Sequence, residues 1–248
     1  MKGGTLVLRV ALIGNPNVGK SVIFNNLTGL RQHTGNWPGK TVEKKVGRHT
    51  YKGVEMEIVD LPGTYSLTSR AIDELIAREY IVEEKPDVVV DIVDASNIER
   101  NLYLTVLLLE LEANVVVALN MMDVAESKGY KIDVEKLSEL LGVPVVPTIA
   151  TRKVGMNELS EAIIRAAEKR KKKRPIVNYG RRIEELITRV EKAVKKDRNL
   201  SEKYSPRWLA IKILENDEAV LEKVNESPYR NEILEAAKKG INEAVKEV

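Results

Sequence analysis

The residues Gly14, Asn15, Pro16, Asn17, Val18, Gly19, Lys20 and Ser21 fit the spacing G-x-x-x-x-G-K-[ST], whose chemistry is the cradling of a phosphate chain. Glycine admits backbone angles closed to other residues and leaves N–H groups unobstructed, so such a loop can wrap a triphosphate with its amides. Lys20 then reaches the outer phosphates and the Ser21 hydroxyl is a ligand for Mg²⁺. Two further constellations follow in chain order: Asp60, Leu61, Pro62, Gly63, a D-x-x-G pattern, and Asn120, Met121, Met122, Asp123. Taken singly, the first is an ordinary turn and the second a helix cap. Occurring together, each at the end of an expected strand, the three carry the signature of a guanine-nucleotide site.

The spacing has a chemical reason. The Asp123 carboxylate can accept two hydrogen bonds, from guanine N1–H and from its exocyclic amine, a pair that adenine lacks. Asn120 steadies that loop. Gly39, Lys40 and Thr41 end a glycine-rich stretch over residues 35–41 that reads as a mobile loop. Thr41 would close over the γ-phosphate and offer Mg²⁺ a second hydroxyl, with Asp60 holding the ion through water. Gly63 offers a backbone N–H to the γ-phosphate, so loss of that phosphate would release both loops. Lys20, Thr41, Gly63 and Asn17 are therefore the catalytic candidates. Two positions depart from the common pattern. Met121 stands where many such sites have lysine, and Thr64 follows D-x-x-G where many have a water-orienting glutamine, so slow hydrolysis is expected. The Asn17 amide oxygen faces the phosphates and can hold a monovalent cation where other systems place an arginine; the alternative is that Asn17 is only a loop residue.

These loops need a scaffold, and the pattern around them supplies one. Buried strands are expected over Leu6–Ile13, Val88–Val93, Val115–Leu119 and Val143–Thr148. A hairpin is expected from Val42, Lys44 and Val46 paired with Val54–Val59 across Tyr51-Lys52-Gly53. Helical spacing runs from Val22 to Leu27, through Ile72, Leu75, Ile76 and Tyr80, from Leu102 to Leu111, from Val134 to Leu141 and from Asn157 to Lys169. Strands alternating with helices give an α/β fold, a mostly parallel sheet covered on both faces, whose ligands bind at the carboxyl ends of the strands. The composition changes at the six cations Lys169–Arg174 and Pro175. Beyond them the pattern is helical, with an apolar stripe of Ile183, Leu186, Ile187, Val190 and Val194. Ser205-Pro206 and Ser227-Pro228 read as N-cap and N1 pairs. The expected domains are residues 1–172, binding nucleotide, and residues 173–248, a small all-helical domain.

Composition excludes several classes. With no cysteine and only His33 and His49, a disulfide framework, a thiolate nucleophile and a histidine-rich metal site all fall away. No apolar run approaches the roughly 18 residues of a membrane span. The formal net charge of +3 gives RNA binding little support. The cationic run reads first as a solvated linker and second as a patch for anionic lipid. His33 and His49 read as surface residues, and Trp208 as core of the helical part.

The residues resemble the cytosolic N-terminal portion of ferrous iron transport protein B, the FeoB family. The matching stretches are Gly14–Ser21, Gly35-Asn36-Trp37-Pro38-Gly39-Lys40-Thr41-Val42-Glu43, Asp60–Leu67 and Asn120–Asp123. The resemblance is strong over about residues 5–165 and rests on position and length beyond. It implies a P-loop GTPase domain, then a regulatory helical domain described as slowing nucleotide release, then a membrane transport domain absent here. It implies Mg²⁺ and K⁺ as cofactors, with GTP as substrate and GDP as product. Asn17 then matches a potassium ligand, with backbone carbonyls near Gly35 and Trp37 completing the shell. Ala150, Thr151 and Arg152 match the fifth guanine-contacting loop, with Ala150 replacing the usual serine. The implied place is the cytoplasmic face of the cell membrane, and a homo-oligomer is left open. Alternatives of other kinds are a GTPase of RNA modification or ribosome assembly, and a nucleotide-sensing module with little turnover.

Overall fold

The computed structural model describes residues 7–29, 32–68, 71–169 and 177–246, with residues 240–246 as backbone alone. The chain divides into two compact units, residues 1–109 with 113–175, and residues 110–112 with 176–248. The expected boundary between 172 and 173 lies outside the described residues, as does all of the cationic run except the exposed Lys169.

In the first unit the elements run β1 (Leu8–Gly14), α1 (Lys20–Thr28), β2 (Gln32–Asn36), β3 (Glu43–Tyr51), β4 (Val54–Asp60) and α2 (Ile72–Glu79). A π-helical turn over Tyr80–Glu84 leads to β5 (Val88–Asp94), α3 (Ile98–Glu110), β6 (Val115–Asn120), α4 (Met122–Ser127), α5 (Val134–Leu141), β7 (Val145–Pro147) and α6 (Met156–Glu168). The strand order is β2-β3-β4-β1-β5-β6-β7. Strands β4, β1, β5, β6 and β7 are parallel, and the hairpin side, β2 and β3, is antiparallel.

The uniform valine and isoleucine runs of β1, β5 and β6 form the centre of this sheet because both of their faces are covered. Val10, Ala11, Leu12 and Ile13 are fully buried, as are Val116, Val117, Ala118 and Leu119. One core layer joins Val10, Leu12 and Ile58 to Ile23 and Phe24 of α1 and to Leu159 and Ile163 of α6. In register, Leu12 faces Asp60 and Asp94 faces Asn120, so the chain leaves β1, β4, β5 and β6 at one edge.

Several expectations shift in detail. Residues Gln32–Asn36 form an edge strand against β3, so the expected loop over 35–41 begins inside a ladder, with Gly35 opposite Lys44. The strand expected over Val143–Thr148 is confined to Val145–Pro147. His49 is half-buried rather than a surface residue: its ring nitrogen lies 2.9 Å from Ser160 Oγ, and burial pushes its pKa down.

The second unit contains α7 (Arg181–Val194), α8 (Arg198–Lys203), α9 (Pro206–Leu214), α10 (Glu218–Asn225) and α11 (Arg230–Lys246). Ile187, Val190 and Val194 of the expected stripe are buried, whereas Ile183 is 47% exposed. Ser205 caps α9, accepting from Trp208 N–H with Pro206 at the first turn, and Trp208 is core. Ser227 does not cap α11, which begins at Arg230. Its hydroxyl instead donates to the Asp197 carboxylate at 2.5 Å and accepts from Tyr229 N–H. Among the described residues no helix is long and apolar enough to cross a membrane.

Candidate nucleotide-binding site

The site is built from the carboxyl edge of the sheet outward. β1 ends at Gly14, and the chain turns through Asn15–Val18 into α1. Gly19 sets that entry: its φ of 89° lies in the left-handed region, and a β-carbon there would sit 2.4 Å from Asn120 Nδ2. α1 begins at Lys20 with no side-chain cap and no acidic residue in its first turn. The first amides of a helix lack intrahelical acceptors, so this end suits an anion. Asn17 is an exposed residue in the left-handed region, with φ 68°, and Ser21 is exposed at the same end. Asn15 is 4% exposed, and neither its Oδ1 nor its Nδ2 has a partner among the described residues.

β4 delivers Asp60, and Lys20 Nζ donates directly to Asp60 Oδ1. Both side chains are largely buried. A lysine and a carboxylate so placed offer one positive and one negative charge to a phosphate–cation pair. The donor set of hydroxyl and carboxylate oxygens at Ser21 and Asp60 suits a hard divalent cation. Gly63 packs against the phosphate loop, since its β-carbon position lies 3.7 Å from the Pro16 backbone, and Thr64 N–H donates to Gly14 C=O at 3.1 Å. Leu61 is buried and Pro62 half-buried. Thr64 is 3% exposed and its hydroxyl donates to Ser66 C=O at 2.7 Å, so it is turned into its own loop.

β6 delivers Asn120, which ties three loops together. Its Nδ2 donates to Val18 C=O at 2.9 Å, and its Oδ1 accepts from Ala150 N–H at 3.0 Å and Thr148 Oγ1 at 3.1 Å. Met121, at φ 60°, turns the chain into α4, and its methyl lies 3.9 Å from the Gly19 β-carbon position. Asp123 follows in the first turn of α4, its side chain 30% exposed and 3.6 Å from Arg152 Nη2. Met122 is half-buried and Thr151 exposed.

The chain therefore brings the phosphate loop, the Asp60 loop, the Asn120–Asp123 turn and the Ala150–Arg152 turn to one edge. The stretch expected as the first phosphate-covering loop stays apart from these four. Thr41 is exposed, Gly35 sits in the β2–β3 ladder, and Trp37 C=O accepts from Lys40 N–H at 3.0 Å. Sequence reasoning missed two supports. Asn26 Nδ2 donates to Ala150 C=O at 2.7 Å, holding the last loop from α1. Gly155, at φ 82°, closes that loop where a β-carbon would lie 2.3 Å from Pro147 C=O. The glycine was the readable signal, as the only small residue between the loop and α6.

The model for ferrous iron transport protein B matches residues 8–163, and that for the FeoB cytosolic helical domain matches residues 179–248. The chain belongs to the FeoB family. A Fe(2+) transporter FeoB of Methanocaldococcus jannaschii is 52% identical over 237 residues, 96% of this chain and 35% of that protein. The chain thus spans about a third of that FeoB. A GDP-bound mutant of S. thermophilus NFeoB is 37% identical with a TM-score of 0.88, over 97% of this chain and 91% of that one. The cytosolic domain of the T. maritima FeoB iron transporter in its GMPPNP form is 39% identical with a TM-score of 0.83, over 98% and 99% of the two chains.

Proposed function

We propose that this chain binds GTP and hydrolyses it to GDP and phosphate, and that its nucleotide state regulates Fe(II) passage through a membrane portion at whose cytoplasmic face it works. The observation that carries this reading is the Asn120 tie. One buried amide fixes the phosphate loop and the Ala150–Arg152 loop to the turn that presents Asp123, a geometry of use to a ligand with a phosphate end and a base end. Residues 1–172 form the nucleotide domain and residues 173–248 a regulatory helical domain.

In this reading the amides of Gly14–Ser21 and the Lys20 ammonium bind the phosphates, and Gly63 N–H meets the γ-phosphate. Asp123 accepts from guanine N1–H and its amine, Met121 flanks the base, and the backbone of Ala150, Thr151 and Arg152 closes over it. Gly39, Lys40 and Thr41 cover the phosphates when the first loop closes. Ser21, Thr41 and Asp60 would hold Mg²⁺, which draws charge from the phosphate oxygens when bound. Asn17, with the carbonyls of Gly35 and Trp37, would hold K⁺, adding positive charge beside the phosphates. As water attacks the γ-phosphorus, its proton passing to the phosphate released, and the bond to GDP breaks, Lys20 and the loop amides stabilise the negative charge that builds on the β-phosphate of the leaving GDP. The buried, self-bonded hydroxyl of Thr64 favours a second reading, slow turnover in a module whose binding is the signal.

Nucleobase exchange tests the reading. Titration with GDP, ADP and XDP should give tight binding to GDP alone, and Asp123→Asn should transfer the preference to XDP, because xanthine carries an oxygen where guanine carries its amine. Equal binding of GDP and ADP by the unaltered chain would defeat it.

A further inference from the structure

The loop after β2 carries a side chain that the phosphate chemistry leaves unused. Trp37 is 7% exposed, and its ring meets Tyr80 edge-on, 5.5 Å between centroids with 75° between planes. Lys44 Nζ lies 4.7 Å from the centre of the Trp37 ring and 5.8 Å from that of Tyr80. Lys44 stands opposite Gly35 in the β2–β3 ladder, so the strand pair that begins the loop also sets a cation over its tryptophan. Tyr80 opens the π-helical turn that ends α2, the helix following the Asp60–Gly63 loop. Such turns shift side-chain register within a helix. The contact therefore joins the first phosphate-covering loop to the helix behind the second.

One feature makes this dock releasable, and a second keeps the docked loop's carbonyl engaged within the loop. The Trp37 indole N–H is buried with no acceptor among the described residues, a cost that leaving the dock removes. The Trp37 carbonyl is occupied by Lys40 N–H in a turn within the loop. Against that cost stand the edge-on aromatic contact and the Lys44 cation, each favourable by geometry.

We propose that Tyr80 is a positioning residue: by docking the Trp37 indole it parks the first loop and opposes its closure onto the phosphate and cation site. The inference rests on the GTPase reading for what the loop closes upon, and on the geometry alone for the dock. Closure then requires Trp37 to leave Tyr80, so nucleotide state is transmitted to the π-helical end of α2 without any new contact to the ligand.

The test is acrylamide quenching of Trp37 in the full chain, with Trp37→Phe supplying the Trp208 background. In the nucleotide-free chain Trp37 should be shielded, and GMPPNP with Mg²⁺ and K⁺ should expose it. Tyr80→Leu should expose it without nucleotide and lower the K⁺ half-saturation of phosphate release about threefold, the size of one aromatic edge contact, with the maximal rate unchanged. Tyr80→Phe, which keeps the ring edge, should behave as the unaltered chain, and unchanged GDP affinity in Tyr80→Leu checks its folding. A Trp37 shielded in every nucleotide state, or Tyr80→Leu matching the unaltered chain, overturns the dock. Quenching needs no turnover, so GMPPNP-driven exposure without any K⁺ effect on release supports the dock and counts against the cation reading alone.

Discussion

Replacing Asn120 by alanine removes three hydrogen bonds at once, to Val18 C=O, Ala150 N–H and Thr148 Oγ1. Asn120 is 3% exposed and Thr148 is 1% exposed, so water does not take over freely. At about 1 kcal/mol net per bond, the substitution should cost about 3 kcal/mol, and more if the Ala150 amide stays buried and unpaired. Thr148→Val removes one of the three bonds and should cost about 1 kcal/mol. Because the chain has two units, a single unfolding curve mixes them. Hydrogen exchange at the amides of Val10–Ile13 and Val116–Leu119 reads opening of the first unit separately. A cost for Asn120→Ala no larger than that for Thr148→Val would refute the tie, and with it the idea that one amide couples the three loops.

Gly19→Ala places a β-carbon against Asn120 Nδ2 at a left-handed φ, so GDP affinity measured by titration should fall about five- to thirtyfold, from strain of ~1–2 kcal/mol. Arg152→Ala removes only an exposed partner of Asp123 and should change GDP affinity by less than about fivefold, since such pairs contribute ~1 kcal/mol or less. Asp91, fully buried in β5 with Thr105 Oγ1 donating to it at 2.6 Å, has its pKa pushed up by burial to about 7. The folded chain then holds a proton that the unfolded chain has released above about pH 4. Its contribution to stability is complete below pH 4 and is lost as pH rises through 7, of order 4 kcal/mol at 1.36 per unit. Asp91→Asn should flatten that slope in pH-dependent hydrogen exchange of the first unit; an unchanged slope would place the titration elsewhere.

What was legible in the sequence follows from how each element is stabilised. β1, β5 and β6 are buried on both faces, so they read as unbroken apolar runs, and the loops at their ends carry recognisable chemistry. β2 was missed because Gln32-His33-Thr34-Gly35-Asn36 is a largely exposed edge strand, held by backbone bonds to β3 and lacking an apolar face. The Trp37–Tyr80 contact was illegible for a different reason: it joins residues distant in sequence through a π-helical turn that no periodicity announces. Ser227-Pro228 has the letters of a cap, but the Ser227 hydroxyl accepts from Tyr229 N–H, ahead of α11, while its proton goes to Asp197. Ile183 fits the helical stripe and lies at its exposed end, where the periodicity cannot say how far the neighbouring helices reach.

The most direct measurement of the central proposal is phosphate release from GTP with excess Mg²⁺, in K⁺ and in Na⁺, for the unaltered chain and for Asn17→Ala. Faster release in K⁺ than in Na⁺, with that difference abolished by the substitution while GDP still binds, is the predicted result. Release equally slow in both salts, with nucleotide bound and Asn17→Ala indistinguishable, would contradict it and leave a binding module in its place.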